Sequence, residues 1–582
     1  MSYPYSLRFG FSLALFITAL TTYAEDTVIT DKGNTPSSHC QQGFSRQDPA
    51  LFKFVKTRKR IDYSQYAGMP IKGIDYQVLP VFDENNPDEN YAIYRAFNFL
   101  HINTQHDTLA KQMLIAPGEP LNPETLYENE RQLRENGYLV DAMIVPDQIC
   151  DDGITLRTVV RDVWTFYPSA SASRSGGDNS VGAGITENNL FGTGHELSLG
   201  YYENDDRTGY GFSYFAPDLL TNRFELGVDF YDNSDGEVVS VNFTRPFYEL
   251  NSHWAAGVST DIENLTENID RDDEVINRYQ RESTTNSVFW GWSDGLENHR
   301  VHRWRVGFTE KLDTFSAVTA TAPPQEPAQA LSQIPADVEL RYPWVSWEYI
   351  EDRYWTTSNI TRSHRQEDIP LGMRSSVTLG YASEETGSDR NAAIYGATMA
   401  YTLNAGKNHL FRGSAEGTGR YNVDTQHPEN AIYSLNLDYF KFIDPNNRWF
   451  LNLQYQIARN IRDDQFFSTG DGDALRGYPS DIQRGNRQWT FTVERRHFTD
   501  IHLLNLAWLG GAIYYDTGRT WDTDNNTPNV DERVLSNIGL GLRISPSKFR
   551  INRVAHIDIA WPLDEGDNID NYQILIKGRV DF

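Results

Sequence analysis

The long C-terminal part of the chain, residues 169–582, limits the possible folds most strongly. Strand-like segments alternate there with Gly, Asn and Asp turns, and helical periodicity is almost absent. Examples are Glu196 to Tyr202, Phe224 to Phe230, Val377 to Tyr381 and Trp449 to Ala458. A soluble sandwich of this length would divide into several domains with linkers, and no linker is visible. A single closed sheet fits better, because closure removes exposed strand edges.

The last strand carries the clearest local pattern. Alternate positions hold apolar residues or glycine up to the terminal aromatic: Tyr572, Ile574, Ile576, Gly578, Val580 and Phe582. The interleaved positions are polar with the exception of Leu575. This alternation gives one face to lipid and one to a polar lumen. The sequence therefore predicts a mainly β protein with a transmembrane antiparallel β-barrel.

The composition agrees with such a barrel and excludes one class of partner. The mean hydropathy is negative, although 13% of the residues are aromatic. Strands that alternate lipid-facing and lumen-facing residues never form a long apolar run. The net charge of −28 argues against nucleic acid as a partner, because phosphates would be repelled.

The N-terminus resembles a secretion signal. A basic start at Arg8, an apolar run from Phe9 to Leu20 and a small residue at Ala24 predict a cleaved signal peptide over 1–24. As a membrane anchor the run is too short, since a helix needs ~20 apolar residues to span a bilayer. Residues 25–72 are polar and irregular and are interpreted as a periplasmic tail or linker.

Residues 73–167 predict a small α+β domain. A strand around Ile74 is followed by helices near 91–99, 108–114 and 121–134, the last with Asn122 as cap and Pro123 in its first turn. Two further strands, 138–145 and 154–164, are joined by a turn at 151–153.

The sequence contains two cysteines, Cys40 and Cys150, which both precede the predicted barrel. After secretion into an oxidising compartment they are expected to form a disulfide that ties the tail to this domain. Two free thiols are the alternative.

Three motifs resemble one superfamily of outer-membrane proteins. Leu475-Arg476-Gly477-Tyr478 resembles the arginine-glycine-aromatic motif in the inward-folded loop of the BamA/TamA and two-partner-secretion superfamily, the bacterial surface antigen family. The segment 510–518, with Asp516, resembles its aromatic-x-Asp-x-Gly strand, and 184–194 resembles the opening strand and first turn of these barrels. The terminal aromatic strand resembles the signal that outer-membrane barrels present for insertion.

The resemblance implies an architecture, a location and a role. Residues 73–167 resemble a single POTRA domain, the periplasmic module of this superfamily, and 169–582 its barrel. The superfamily implies 16 strands, whereas the strand-like segments number nearly 20. The implied role is insertion or translocation of proteins at the bacterial outer membrane, with the POTRA-like domain in the periplasm. The implied partners are the lipid bilayer, an unfolded or extended client protein, and accessory proteins of the periplasm or outer membrane.

The chemistry of Arg476 gives its motif a physical basis. An unpaired charge inside a partly dry lumen is costly, so this arginine needs a carboxylate. Asp516 on a later strand is the predicted partner, in a bidentate pair that would pin the loop to the wall. Glu494 is the second candidate. The alternative is a solvated arginine in a loop turn.

The remaining motifs indicate no enzyme. Gly291-Trp292-Ser293-Asp294-Gly295 matches a nucleophile elbow, which needs a strand before it and a helix after it. Here a second strand-like run follows, so we interpret the segment as a hairpin turn. The acidic pair Asp471 and Asp473 lacks the spacing of a calcium loop. We predict no catalytic residue, no metal site and no cofactor. A passive channel or structural barrel without a protein client remains the alternative function.

Overall fold

The computed structural model describes residues 40–48, 61–175, 178–204, 207–219, 223–271, 274–318, 334–361, 363–406, 408–462, 466–470, 475–480, 482–523, 533–549, 554–566 and 569–579. The predicted signal peptide, Asp471, Asp473, Val580 and Phe582 lie outside these residues.

The N-terminal domain is a four-stranded sheet with three helices. The elements are β1 (Cys40–Gln42), β2 (Ile71–Leu79), α1 (Ala92–Leu100), α2 (His106–Gln112), α3 (Pro123–Glu135), β3 (Leu139–Cys150) and β4 (Gly153–Asp162). The strand order is β1-β3-β4-β2, in which β2 runs parallel to β4 and the other pairs are antiparallel. The two edge strands of the sheet therefore differ in length: β1 has three residues and β2 has nine.

Helix α3 shows how the local sequence produces this domain. The side chain of Asn122 accepts a hydrogen bond from the backbone N–H of Glu124, and Pro123 occupies the first turn, where it loses no helical hydrogen bond. Leu126 and Leu133, seven positions apart, lie on the buried face and pack in the main core of the domain.

Part of the segment predicted as an irregular tail belongs to this domain. Cys40–Gln42 pairs with the end of β3, and Tyr63 is fully buried in the core. Its hydroxyl donates to the Glu130 carboxylate at 2.7 Å. These residues were predicted as a linker because they have no periodicity, and their order comes from tertiary contacts.

The second part of the chain forms a barrel of twenty antiparallel strands, and its last strand pairs with its first at Ile576 and Arg174. The strands are β5 (Phe166–Ser175), β6 (Asp178–Glu187), β7 (Glu196–Glu203), β8 (Thr208–Ala216), β9 (Glu225–Asn233), β10 (Gly236–Arg245), β11 (Trp254–Arg271), β12 (Glu274–Glu297), β13 (Arg300–Ala317), β14 (Val338–Glu351), β17 (Gly372–Ala382), β18 (Ala392–Asn404), β19 (His409–Asn422), β20 (His427–Asp444), β21 (Asn447–Arg459), β24 (Arg487–Leu503), β25 (Ala507–Trp521), β26 (Leu535–Pro546), β27 (Val554–Pro562) and β28 (Gln573–Arg579). The 16 strands implied by the resemblance are too few, and the count of strand-like segments is the better estimate.

Two short hairpins complete the described elements. The pair β15 (Tyr354–Ser358) and β16 (Gln366–Pro370) lies between β14 and β17, and the pair β22 (Phe467–Thr469) and β23 (Gln483–Gly485) lies between β21 and β24. We call the end of the barrel next to the N-terminal domain, where β5 begins, the proximal end, and the opposite end the distal end. β13 ends at Ala317 and β14 begins at Val338, both at the distal end.

The barrel strands alternate as the sequence predicts. In β26, Asn537 and Arg543 are buried, whereas Ile538, Leu540 and Leu542 are exposed on the outer face. Polar and charged groups therefore face the lumen, and apolar groups face outward, which is the pattern of a sheet with a lipid-facing exterior.

The terminal strand follows the same rule in its described part. Tyr572, Ile574 and Ile576 are exposed, and Gln573 and Leu575 are buried. The lumen-facing Leu575, the exception to the polar pattern, packs with Tyr514 and Ala560.

Two sequence signals have simple structural outcomes. The segment Gly291–Gly295 lies inside β12, and the hairpin turn follows at Asn298 and His299, which both have positive φ. The predicted turn was therefore placed a few residues too early. Among the described residues, no helix is long and apolar enough to cross a membrane.

Candidate functional site

The Arg476 loop lies inside the barrel against the wall. The guanidinium binds Asp516 with two hydrogen bonds, from Nε at 2.8 Å and from Nη2 at 2.7 Å. Its Nη1 donates to Glu494 at 3.2 Å, and its central carbon lies 3.2 Å from the centroid of the Tyr514 ring. All three charged side chains are buried. The structure thus brings together the arginine and both carboxylates that the sequence singled out, in a bidentate geometry.

Two further arginines extend this pair into a cluster. Nε of Arg496 lies 3.3 Å from Glu494, and Nη2 of Arg543 lies 3.6 Å from the same carboxylate. Arg543 also donates to Asp558 at 2.8 Å. Arg476, Arg496 and Arg543 are balanced by Asp516, Glu494 and Asp558, and we call these six residues the lumen cluster.

The sequence interpretation missed Arg496, Arg543 and Asp558. Alternation along β24, β26 and β27 could have placed them on the inner face. Register between strands, which brings Arg543 to Glu494 and to Asp558, is not readable from one sequence.

Gly477 and Tyr478 fix the loop by close packing. A Cβ on Gly477 would lie 2.6 Å from the Cβ of Asn537, so the loop backbone lies directly on β26. A glycine is therefore needed here for the close approach of the loop backbone to β26. Tyr478 is fully buried, and its hydroxyl bonds the Ser536 carbonyl at 2.5 Å and the Asp564 carboxylate at 2.7 Å.

The N-terminal domain is seated on the proximal end of the barrel. From α3, Gln132 donates to the Tyr248 carbonyl at 2.9 Å, and Glu128 accepts from the Leu250 N–H at 2.7 Å. From the segment before α1, Glu89 accepts two bonds from the Lys548 ammonium, both at 2.9 Å. These contacts reach the β10–β11 and β26–β27 turns, on well-separated parts of the rim.

Burial alters the titration of the docking side chains. Burial raises the pKa of Glu128 to about 7, against the lowering effect of the Leu250 N–H and of Arg131. Burial lowers the pKa of Lys548, although Glu89 opposes that shift. The seat of the domain is therefore a dry interface in which each charged group needs its partner.

The β15–β16 hairpin, with its flanking residues 352–371, occupies the proximal end of the lumen, and we call it the mouth hairpin. Ile360 at its tip is fully buried among Leu410, Phe440 and Phe450, which lie on the lumen side of β19, β20 and β21. His364 donates from Nε2 to the Thr499 carbonyl on β24 at 2.8 Å. The hairpin thus reaches across the proximal opening from its own strands to β24.

The same hairpin is tied to the N-terminal domain. Arg134 of α3 donates from Nε at 3.0 Å and from Nη2 at 2.6 Å to one oxygen of Asp368. Arg131 pairs with Asp352 at 3.3 Å and stacks on the Tyr354 ring at 3.9 Å. The domain, the hairpin and the barrel therefore meet in one buried polar contact, which we call the mouth interface.

A disulfide joins Cys40 and Cys150, so that β1 is held on the edge of β3. The opposite edge strand, β2, pairs with no strand other than β4 in the part of the chain that the structure describes, but at its start Ile71 is bonded to the backbone of Gly118 and Glu119. The remaining part of this edge, residues 72–79, is still longer than the strand edges that proteins usually leave unprotected.

Comparisons with known proteins show likeness to solved outer-membrane proteins. BamA from Haemophilus ducreyi lacking POTRA domains 1–3 is 14% identical, with 88% of this chain and 84% of that chain covered and a TM-score of 0.37. CdiB from Acinetobacter baumannii is 13% identical (88% and 74% covered, TM-score 0.42), and CdiB from Escherichia coli is 11% identical (89% and 79%, TM-score 0.44).

No protein-family model and no curated protein matches the sequence. BamA is a member of the superfamily that the three sequence motifs resemble. Sequence identities this low, with TM-scores below 0.5, transfer no residue role to this chain.

Proposed function

We propose that this chain is a BamA/TamA-type protein of the bacterial outer membrane that inserts or translocates protein clients. In this proposal the N-terminal domain is a single POTRA domain in the periplasm, and the barrel spans the membrane with its distal loops outside. The domain receives an extended client, and the barrel admits it. No step of this role requires catalysis or a cofactor.

One observation carries the proposal: the domain that covers the proximal end of the barrel keeps a strand edge, β2, that from Lys72 onward pairs with no second strand among the described residues. An extended peptide can add to such an edge through main-chain hydrogen bonds, with affinity that depends little on its sequence. The other edge is occupied by β1, which the disulfide holds in place. The domain is thus built to offer one edge at the barrel entrance.

A passive channel is the second candidate, and the occupied lumen disfavours it. The mouth hairpin and α3 lie at the proximal end, and the Arg476 loop lies along the wall further in. A pore for small solutes would need an open path past both. In a protein that opens when a client binds, the mouth hairpin, α3 and the Arg476 loop would form the closed resting state.

The test is photo-crosslinking in cells. A benzophenone amino acid at Lys72, on the exposed part of β2, should capture outer-membrane or secreted proteins, whereas the same group at Gln41 on β1 should capture few. Deletion of the gene should lower the levels of specific surface proteins. Equal crosslinking at both positions, together with a change only in small-solute permeability, would favour the passive channel.

A further inference from the structure

Helix α1 presents an unusual amount of apolar surface. Phe99 is 87% exposed and Leu100 is 67% exposed, and Ile93 and Ile102 are also exposed. The opposite side of the helix is different, because Tyr94 is buried against Phe82 in a small core. Contiguous apolar surface of this kind marks a place where something other than water is in contact.

Two barrel turns extend this surface on either side. Leu504 of the β24–β25 turn is 69% exposed, and its carbonyl accepts from the Tyr94 hydroxyl at 2.5 Å. Phe191 of the β6–β7 turn is 67% exposed, and its carbonyl accepts from the Gln105 side chain at 2.8 Å. Phe191 has a φ of 55°, so an exposed aromatic is held in a backbone conformation that is unfavourable for a bulky residue. We call Ile93, Phe99, Leu100, Ile102, Phe191 and Leu504 the rim surface.

The rim surface lies at a defined place on the barrel. The β24–β25 and β6–β7 turns that flank α1 enclose the strands β25, β26, β27, β28, β5 and β6 in the barrel order. Between them, Lys548 of the β26–β27 turn bonds Glu89, three residues before α1. The helix therefore runs along the proximal rim beneath the junction of the last and first strands.

The outer face of the barrel continues into this surface. Ile501 and Leu503, on the outward face of β24, are exposed, and they lead directly into Leu504. Above them, the outer faces of β26 and β28 expose Leu540, Leu542 and Ile574. Among the described residues, the apolar exterior of β24 therefore continues through Ile501, Leu503 and Leu504 toward α1, with Asp500 as an exposed polar neighbour.

We infer that the rim surface is immersed in the proximal leaflet of the membrane, with α1 lying in the interface as an amphipathic helix. Lipid is the occupant that the continuity with the barrel exterior supports. An interfacial helix buries its apolar face at the boundary between headgroups and acyl chains. Docked in this way, α1 would fix the N-terminal domain relative to the bilayer and hold lipid beneath the junction of β28 and β5.

The inference uses the membrane position of the barrel, which belongs to the proposed function, and it needs no client. A protein partner on α1 is the competing occupant. The structure offers such a partner little to recognise there: a helix has no strand edge to augment, and the exposed residues of α1 are apolar except Arg95, whose guanidinium bonds Asn90.

The test is depth-dependent fluorescence quenching on the full-length protein. Single cysteines are introduced and labelled with an environment-sensitive dye, while the native disulfide stays intact. The labelled protein is then reconstituted in phosphatidylethanolamine–phosphatidylglycerol vesicles, either with or without brominated acyl chains. Phe99→Cys is the test position. Leu540→Cys, on the outer barrel face, is the positive control.

Glu119→Cys is the matched control on the domain. Glu119 is exposed, and its carbonyl bonds Ile71 at the start of β2, the end of the sheet that lies far from the barrel. Unlabelled wild type gives the blank.

We expect brominated lipid to quench the dye at position 99 nearly as strongly as at 540, and at least ~2-fold more than at 119, as an interfacial helix requires. Quenching at 540 with none at 99 would overturn the inference and leave the proposed function intact. Quenching by aqueous iodide is measured on the same samples. A dye at position 99 that neither iodide nor brominated lipid quenches would mean that protein covers the helix, and the lipid assignment would be wrong. Loss of quenching at 540 as well would overturn the membrane position itself, and the inference with it.

Discussion

The lumen cluster and the mouth interface are both buried sets of arginines and carboxylates, but they connect different things. In the lumen cluster, five of six members lie on neighbouring strands of one sheet, and only Arg476 comes from a loop. In the mouth interface, Arg131 and Arg134 belong to the N-terminal domain, whereas Asp352 and Asp368 belong to the mouth hairpin.

This difference suggests different purposes. The three positive and three negative charges of the lumen cluster compensate each other, and departure of the loop with Arg476 would leave the buried Asp516 carboxylate without its arginine. At the mouth interface, each ion pair joins the N-terminal domain to the mouth hairpin. If the domain and the hairpin separate, both charged side chains become hydrated again. We therefore expect the first set to govern folding and the second to govern opening.

Loss of Arg476 should have the largest effect. Arg476→Ala leaves Asp516 and Glu494 buried with less compensation, which costs ~3–5 kcal/mol when one side of a buried pair is removed. Urea unfolding in detergent, followed by the heat-modifiable band on gels, measures it. Arg495→Ala is the control, because Arg495 points to the outer face beside Trp449. Equal stability of the two variants would mean that Arg476 contributes no more to the free energy of unfolding than Arg495 on the outer face.

A single methyl group at Gly477 should have the next largest effect. The added Cβ of Gly477→Ala would meet the Cβ of Asn537 at 2.6 Å, so the loop must move off β26 at a cost of ~1–3 kcal/mol. The same unfolding assay applies. Gly396→Ala is the matched control, since its new Cβ would meet nothing closer than 4.0 Å. A Gly477→Ala protein as stable as Gly396→Ala would mean that the loop is not held against the wall.

Loss of Arg134 should open the mouth without unfolding the barrel. Arg134→Ala removes two charge-assisted bonds to Asp368, worth ~1.5–3 kcal/mol for hydrogen bonds to charged groups. We expect higher single-channel conductance in planar bilayers and an unchanged barrel unfolding transition. Lys72→Ala removes an exposed ion pair with Asp152 and should change neither. Unchanged conductance in Arg134→Ala would argue that the hairpin is not held by the domain.

Glu128 should give the smallest effect, a weak pH dependence of docking. Its folded-state pKa, about 7, lies above that of the free carboxyl at 4.5, so the folded state keeps a proton that the unfolded state has released. The associated stability is fully present below pH ~4.5 and is lost as the pH rises through 7, by roughly 1 kcal/mol between pH 6 and 7.

Glu128→Gln should abolish this slope, because the amide keeps the hydrogen-bond acceptor and does not titrate. Protease sensitivity of the domain–barrel connection, measured from pH 5 to 8, reports it. An identical slope in the wild type and in Glu128→Gln would assign the pH dependence to another group.

The sequence alone determined much of this protein. Period-two alternation placed Ile574 and Ile576 outside and Gln573 inside, because a strand side chain can only point one way or the other. The cap at Asn122 and the proline after it located α3. The Arg476 motif also predicted its ion-pair partners. A buried guanidinium needs a carboxylate, and Asp516 and Glu494 lie at lumen-facing positions of the following strands.

Other features were decided only by the tertiary structure. The number of strands depends on which weak segments find neighbours, and Arg543 joined the lumen cluster through strand register. Residues 352–371 carry no distinctive signal, yet they fold into the proximal end of the lumen because Ile360 finds an apolar pocket and Asp368 finds Arg134. The first contact joins residues at least 50 positions apart and the second joins residues 234 positions apart, so neither can be read from local sequence. These contacts stabilise the protein only after the barrel has brought the two partners together.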